Sequence, residues 1–182
     1  MNRNLILLLV IVIVAGFRLA SFYGSGPFTM FSPIGAMALF GGAYFAGNIK
    51  PFLFPLLALL ISDLIVSNTL FLEYRAGLLY SGWYWTYIAF ALMALAGKFI
   101  LKEINIKNMI IAVVAATVIH WIVSDIGMCV MENNFTLALY SQKLITAVPY
   151  ELKFMAGTAI FSVIMFGTFE FLQRKYPSLQ FN

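Results

Sequence analysis

Six apolar stretches follow one another along the chain, two of the connections longer than the rest, and this limits the chain to one class of fold. Of its 182 residues, 63% are hydrophobic and 10% charged, where a soluble domain carries about 25% charged residues. Such a surface has too few groups for water to solvate, so the chain reads as an integral membrane protein. About 20 apolar residues are needed for a spanning helix. The stretches 4–20, 33–47, 51–67, 83–101, 108–129 and 152–172 predict a compact all-α bundle of six transmembrane helices. They fill 1–182 as one domain and leave no room for a soluble one. The first stretch exceeds the usual apolar core of a signal peptide, and Arg18 stands where a cleavage site would form, so it reads as a retained helix. The stretch 136–148, ending before Pro149, reads as an interfacial or re-entrant helix.

The second stretch is unusual in its small residues. Pro33 opens it, at a position where a missing N–H costs nothing. Gly35, Ala38, Gly42, Ala43 and Ala46 then fall at helical spacing on neighbouring faces. In lipid, small residues at four-residue spacing let two backbones approach closely. The expectation is a helix enclosed by its neighbours. The turn Asn48-Ile49-Lys50-Pro51 folds it back against the third stretch.

Charge predicts orientation. With both termini cytoplasmic, Arg3, Lys50, Lys98, Lys102, Lys107, Arg174 and Lys175 lie inside, and Arg18, Arg75, Lys143 and Lys153 outside. Positive residues favour the cytoplasmic side, which points to a multi-pass protein with both ends inside. The net charge of +4 is scattered, so nucleic acid is not an expected partner. Cys129 is the single cysteine, which excludes an intrachain disulfide.

The acidic residues Asp63, Glu73, Asp125, Glu132 and Glu151 gather toward the outer ends of the helices, as does Arg18. Ionisable groups at membrane depth mark functional sites unless they reach water or neutralise one another, as Arg18 would with Asp63 or Asp125. His120 and Ser124 share one helix face, and Trp121 and Asp125 the adjacent one. Trp83 and Tyr84 begin the fourth helix within an aromatic cluster that serves either as an interfacial belt or as a wall for a planar ligand. The expectation is one outward-open pocket of Arg18, Asp63, His120, Ser124 and Asp125, walled by Trp83, Tyr84 and Trp121. On this reading Asp63→Asn and Asp125→Asn leave the helices folded and weaken ligand binding. No cofactor is expected and no metal, since no second histidine or carboxylate stands at ligand spacing from His120. Phosphate-binding loops and nucleophile elbows are missing too, which argues against an enzyme.

The runs Ser32-Pro-Ile-Gly-Ala-Met-Ala-Leu-Phe-Gly-Gly-Ala-Tyr-Phe45 and Pro55-Leu-Leu-Ala-Leu-Leu-Ile-Ser-Asp-Leu64 resemble a bacterial membrane-protein family of unassigned function. The likeness continues through Ser124-Asp-Ile-Gly127 and Ala147-Val-Pro149 to Gly157. That family is similar to the substrate-binding S components of energy-coupling-factor vitamin transporters. The resemblance implies uptake of a small, vitamin-like solute from the outer side, alone or with a separate coupling or ATPase module. Leu152-Lys153 and Thr158 depart from the pattern, which puts the ligand's identity in question. The alternative is a structural or assembly subunit of a larger membrane complex, and a third reading is a small membrane enzyme acting on a lipid or quinone.

Overall fold

The computed structural model describes residues 2–23, 31–132 and 135–179. Its helices are α1 (Arg3–Tyr23), α2 (Ile34–Tyr44), α3 (Lys50–Thr69), α4 (Trp83–Ile100), α5 (Ile106–Met131) and α6 (Leu137–Lys175). Between α3 and α4 lies a small antiparallel hairpin, β1 (Arg75–Ala76) and β2 (Leu79–Tyr80). Local chemistry sets the helix starts. Pro51 sits in the first turn of α3. The Asn105 side chain accepts from the Asn108 N–H at 2.9 Å to begin α5, and Thr136 Oγ1 accepts from the Leu139 N–H at 3.1 Å to begin α6.

Among the described residues, α3, α4, α5 and α6 are each long and apolar enough to cross a membrane. Along α1, Leu7, Ile11 and Val14 are buried, while Leu5, Leu9, Val12, Ile13 and Phe17 face outward. Apolar side chains on both faces are what a helix needs when protein covers one side and lipid the other.

The second helix is shorter than the stretch 33–47 predicts. It stops at Tyr44, and Phe45 is already extended. Its 11 residues rise about 16 Å, roughly half of a hydrocarbon core. The chain must reverse between α2 and α3, and residues 45–49 are used for that turn, with Gly47 at a φ of 89°. Ala46 therefore leaves the small-residue stripe: it is exposed and outside the helix. Ala43 is half-buried, whereas Gly35, Ala38 and Gly42 are buried. Apart from Ala43, every residue of α2 is buried, because α3, α4 and α6 surround it.

The crossing of α2 and α4 is reciprocal. A Cβ on Gly42 would collide with the Ala94 carbonyl oxygen, and one on Gly97 would meet the Leu39 carbonyl oxygen at 2.6 Å. Glycine on both sides lets the backbones touch. Nearer the C-terminus of α2, Phe40 packs edge-on against Phe166 and Phe169, and Tyr44 packs edge-on against Phe169 and tilted against Phe166, with centroids 4.6–5.8 Å apart. The Tyr44 hydroxyl donates to Glu170 at 2.5 Å. This aromatic layer forms the end of the bundle opposite the β-hairpin.

The stretch 136–148 is not a separate element. From residue 137 it is the first part of α6, which runs unbroken through Pro149 for 39 residues, about 58 Å. Partners on α5 hold it in place: Trp121 Nε1 donates to the Leu144 carbonyl at 3.1 Å and the Tyr140 hydroxyl to that of Ile122 at 3.4 Å. With α5 it makes an antiparallel helical pair whose turn lies at the β-hairpin end.

Candidate functional site

Three adjoining clefts lie at the β-hairpin end. The first, about 360 Å³, is lined by Arg18, Asp63, Val66, Phe71, Tyr74 and Tyr80. The second, about 380 Å³, includes Tyr80, Trp85, Thr86, Ser124, Gly127 and Met128. The third, about 360 Å³, includes Asp125, Met128, Gln142, Lys143, Thr146 and Tyr150. Tyr80 is the wall shared by the first and second, and Met128 by the second and third.

The first cleft is built on a buried ion pair. Arg18, near the end of α1, donates from Nη2 to Asp63 Oδ1 and from Nη1 to Ser62 Oγ, both at 2.5 Å. Arg18 is 5% exposed and Asp63 1%, so each charge depends on the other to remain ionised away from water. Ser62 in turn donates to the Leu59 carbonyl at 2.8 Å, which fixes its oxygen as the acceptor for Arg18. The hydroxyls of Tyr80 and Tyr87 also face the Asp63 carboxylate, close enough to donate to it. Burial, reinforced by the Asp63 charge, pushes the Tyr80 phenol up to about 12, so it stays a neutral donor at physiological pH.

A second polar centre lies between α5 and α6. His120 Nδ1 meets both oxygens of Glu151, at 2.9 and 3.1 Å, and its ring stacks on Phe154 with centroids 4.2 Å apart. Asp125, one helical turn beyond Trp121, is buried with Oδ2 unpartnered. Lys143 borders the same cleft and is held by Glu132 at 2.7 Å.

The single pocket expected from sequence is thus divided. Arg18 and Asp63 come together, and His120 joins Glu151 instead of them. Ser124 lines the middle cleft, but its hydroxyl donates to the His120 carbonyl at 2.7 Å. Trp121 caps a separate narrow cleft, its indole N–H already taken by Leu144. Trp83 and Tyr84 wall none of the three clefts: they are 39% and 44% exposed, and Trp83 packs edge-on against Tyr87. The aromatic wall is made by Tyr80 and Trp85 instead. Trp85 fits because Gly127 has no side chain, since a Cβ there would run into the indole ring. Its Nε1 is buried without a partner.

Sequence reasoning therefore left Ser62, Tyr80, Trp85, Tyr87 and Glu151 out of the site. The signals were present. Ser62 adjoins Asp63, the tyrosines and Trp85 flank the two aromatics selected, and Glu151 is an acid inside a long apolar helix. Among the described residues no group of three or more His, Cys, Asp or Glu side chains is placed to hold a metal ion.

Comparison with known proteins supports an uncharacterised family and nothing finer. No curated protein and no solved structure matches the chain. Residues 1–179 match the Family of unknown function (DUF6580), and the chain belongs to that family.

Proposed function

We propose that this protein is a multi-pass transport component of a bacterial inner membrane, with six spans and both termini cytoplasmic. It takes a small solute into the clefts at the β-hairpin end, which is the outer side, and mediates its uptake. One observation carries this reading. Trp85 Nε1 and Asp125 Oδ2 are buried polar atoms without partners, and their residues line two of the three adjoining clefts. Buried polar atoms are nearly always paired in a native protein, so these two favour a polar ligand that completes them. Donors and acceptors are both represented, and Tyr80 and Trp85 offer aromatic faces, which suits a ring-bearing solute with carbonyl or hydroxyl groups. The resemblance to S components of energy-coupling-factor vitamin transporters points the same way, and a separate coupling or ATPase module would then supply energy.

A subunit role in a larger membrane complex is the second reading. The exposed apolar and aromatic residues Leu72, Tyr74 and Leu78 around the β-hairpin favour it. Mass spectrometry of small molecules released from purified protein separates the two. Transport requires a stoichiometric compound that is lost in Asp125→Asn at unchanged melting temperature. A ligand-free protein that is stable only with a co-purifying subunit would replace transport by the subunit role.

A further inference from the structure

A groove between α5 and α6, open to the surroundings of the bundle, is not used by the solute clefts. Its wide part, about 620 Å³, is lined by residues such as Ile106, Met109, Val113, Ala159 and Phe166. A narrower part of about 160 Å³ continues past the shared residues Val114 and Met155 to Trp121 and Glu151. The groove narrows from about 620 to about 160 Å³ along its length, a taper that suits a headgroup with a flexible apolar chain.

Two features at the wide end give the occupant a head as well as a tail. Ser162 lines the groove, is fully buried, and its Oγ has no hydrogen-bond partner. The His120–Glu151 contact sets the register of the antiparallel pair. Ser162 is as far along α6 from Glu151 as Met109 is along α5 from His120, so the hydroxyl sits about one turn inside the start of α5. At that start, Lys102 and Lys107 are exposed and form no ion pair among the described residues. Glu103 lies between them, leaving the turn with a net positive charge. The first N–H groups of α5 add partial positive charge at the same place.

We propose that this groove binds one anionic phospholipid. The phosphate lies at the N-terminus of α5 between Lys102 and Lys107. The ester carbonyl below it accepts from Ser162, and one acyl chain follows Val113, Val114 and Met155 toward Trp121. The inference rests on α5 and α6 spanning the membrane and is independent of the solute clefts at the other end.

Native mass spectrometry of the delipidated protein in detergent, titrated with phosphatidylglycerol or with phosphatidylcholine of the same chains, tests it. Wild type should retain one phosphatidylglycerol with roughly tenfold or greater preference, as two surface lysines near an anionic head imply. The exposed pair Lys102→Ala with Lys107→Ala should abolish the preference at unchanged melting temperature, and Ala159→Trp should expel the retained lipid. Equal retention of the two lipids by wild type would overturn the proposal, as would a preference surviving the double lysine variant. Dimers carrying no lipid would assign the groove to a second copy of the chain. Compounds released from the solute clefts should be the same in wild type and lysine variant, so failure here leaves the transport reading untouched.

Discussion

At Asp63 and Asp125 the same change, Asp to Asn, has opposite consequences, because only one of these carboxylates holds a charge in place. Asp63→Asn removes the carboxylate paired with buried Arg18, and breaking such a pair costs about 3–5 kcal/mol. We expect a clearly lowered melting temperature in detergent, contrary to the tolerance that the sequence predicts. Asp125 has an unpartnered oxygen and no ion pair among the described residues. Neutralising it should leave melting unchanged or raise it. Replacing both members of the first pair, Arg18→Met with Asp63→Leu, should recover most of the stability lost by either single change, since apolar side chains need no partner. A double variant no more stable than Asp63→Asn alone would show that the pair is not the source of the cost.

The elements are joined by close backbone crossings, and glycine substitutions distinguish these from open positions. Gly42→Ala and Gly97→Ala each press a methyl group onto a carbonyl of the opposing helix, where neither backbone can shift independently. Overpacking of this kind costs about 1–3 kcal/mol, and Gly42→Leu should prevent folding. Gly16 in α1 and Gly167 in α6 have nothing within 4 Å of an added Cβ. Gly16→Ala and Gly167→Ala should therefore be neutral or stabilise by about 0.4–1 kcal/mol. Thermal unfolding of the four alanine variants in one detergent checks the ordering. Wild-type melting of Gly42→Ala would mean that the α2–α4 crossing is looser than the structure has it.

For the whole molecule, the proposed topology puts the β-hairpin end and the α4–α5 turn at opposite faces of a membrane. Cys129 is buried, so the unmodified chain offers little background to a thiol reagent. Leu78→Cys, at the exposed tip of the hairpin, should react with a membrane-impermeant maleimide added to intact cells. Lys102→Cys should react only after lysis. The reverse pattern would place both termini and the basic turn outside, and the solute clefts would then open to the cytoplasm.

The sequence by itself determined the class of structure, the near-continuous helix and the enclosure of the second stretch. In lipid every backbone N–H and C=O must be satisfied within its own segment, so an apolar run must become helix whatever its neighbours do. Small residues have a use there only where backbones meet. Tertiary structure decided what depends on the relative rotation and height of the helices. It ended α2 at Tyr44, because the return to α3 needed residues 45–49. It carried α6 through Pro149, because α5 holds the preceding turns by Trp121 and Tyr140. It paired Arg18 with Asp63 and His120 with Glu151, and turned Tyr80 and Trp85 inward in place of Trp83 and Tyr84. Neighbouring positions on a helix differ by about 100° in direction, so which of them faces a cleft follows from the packing of the crossings and cannot be read from one segment alone.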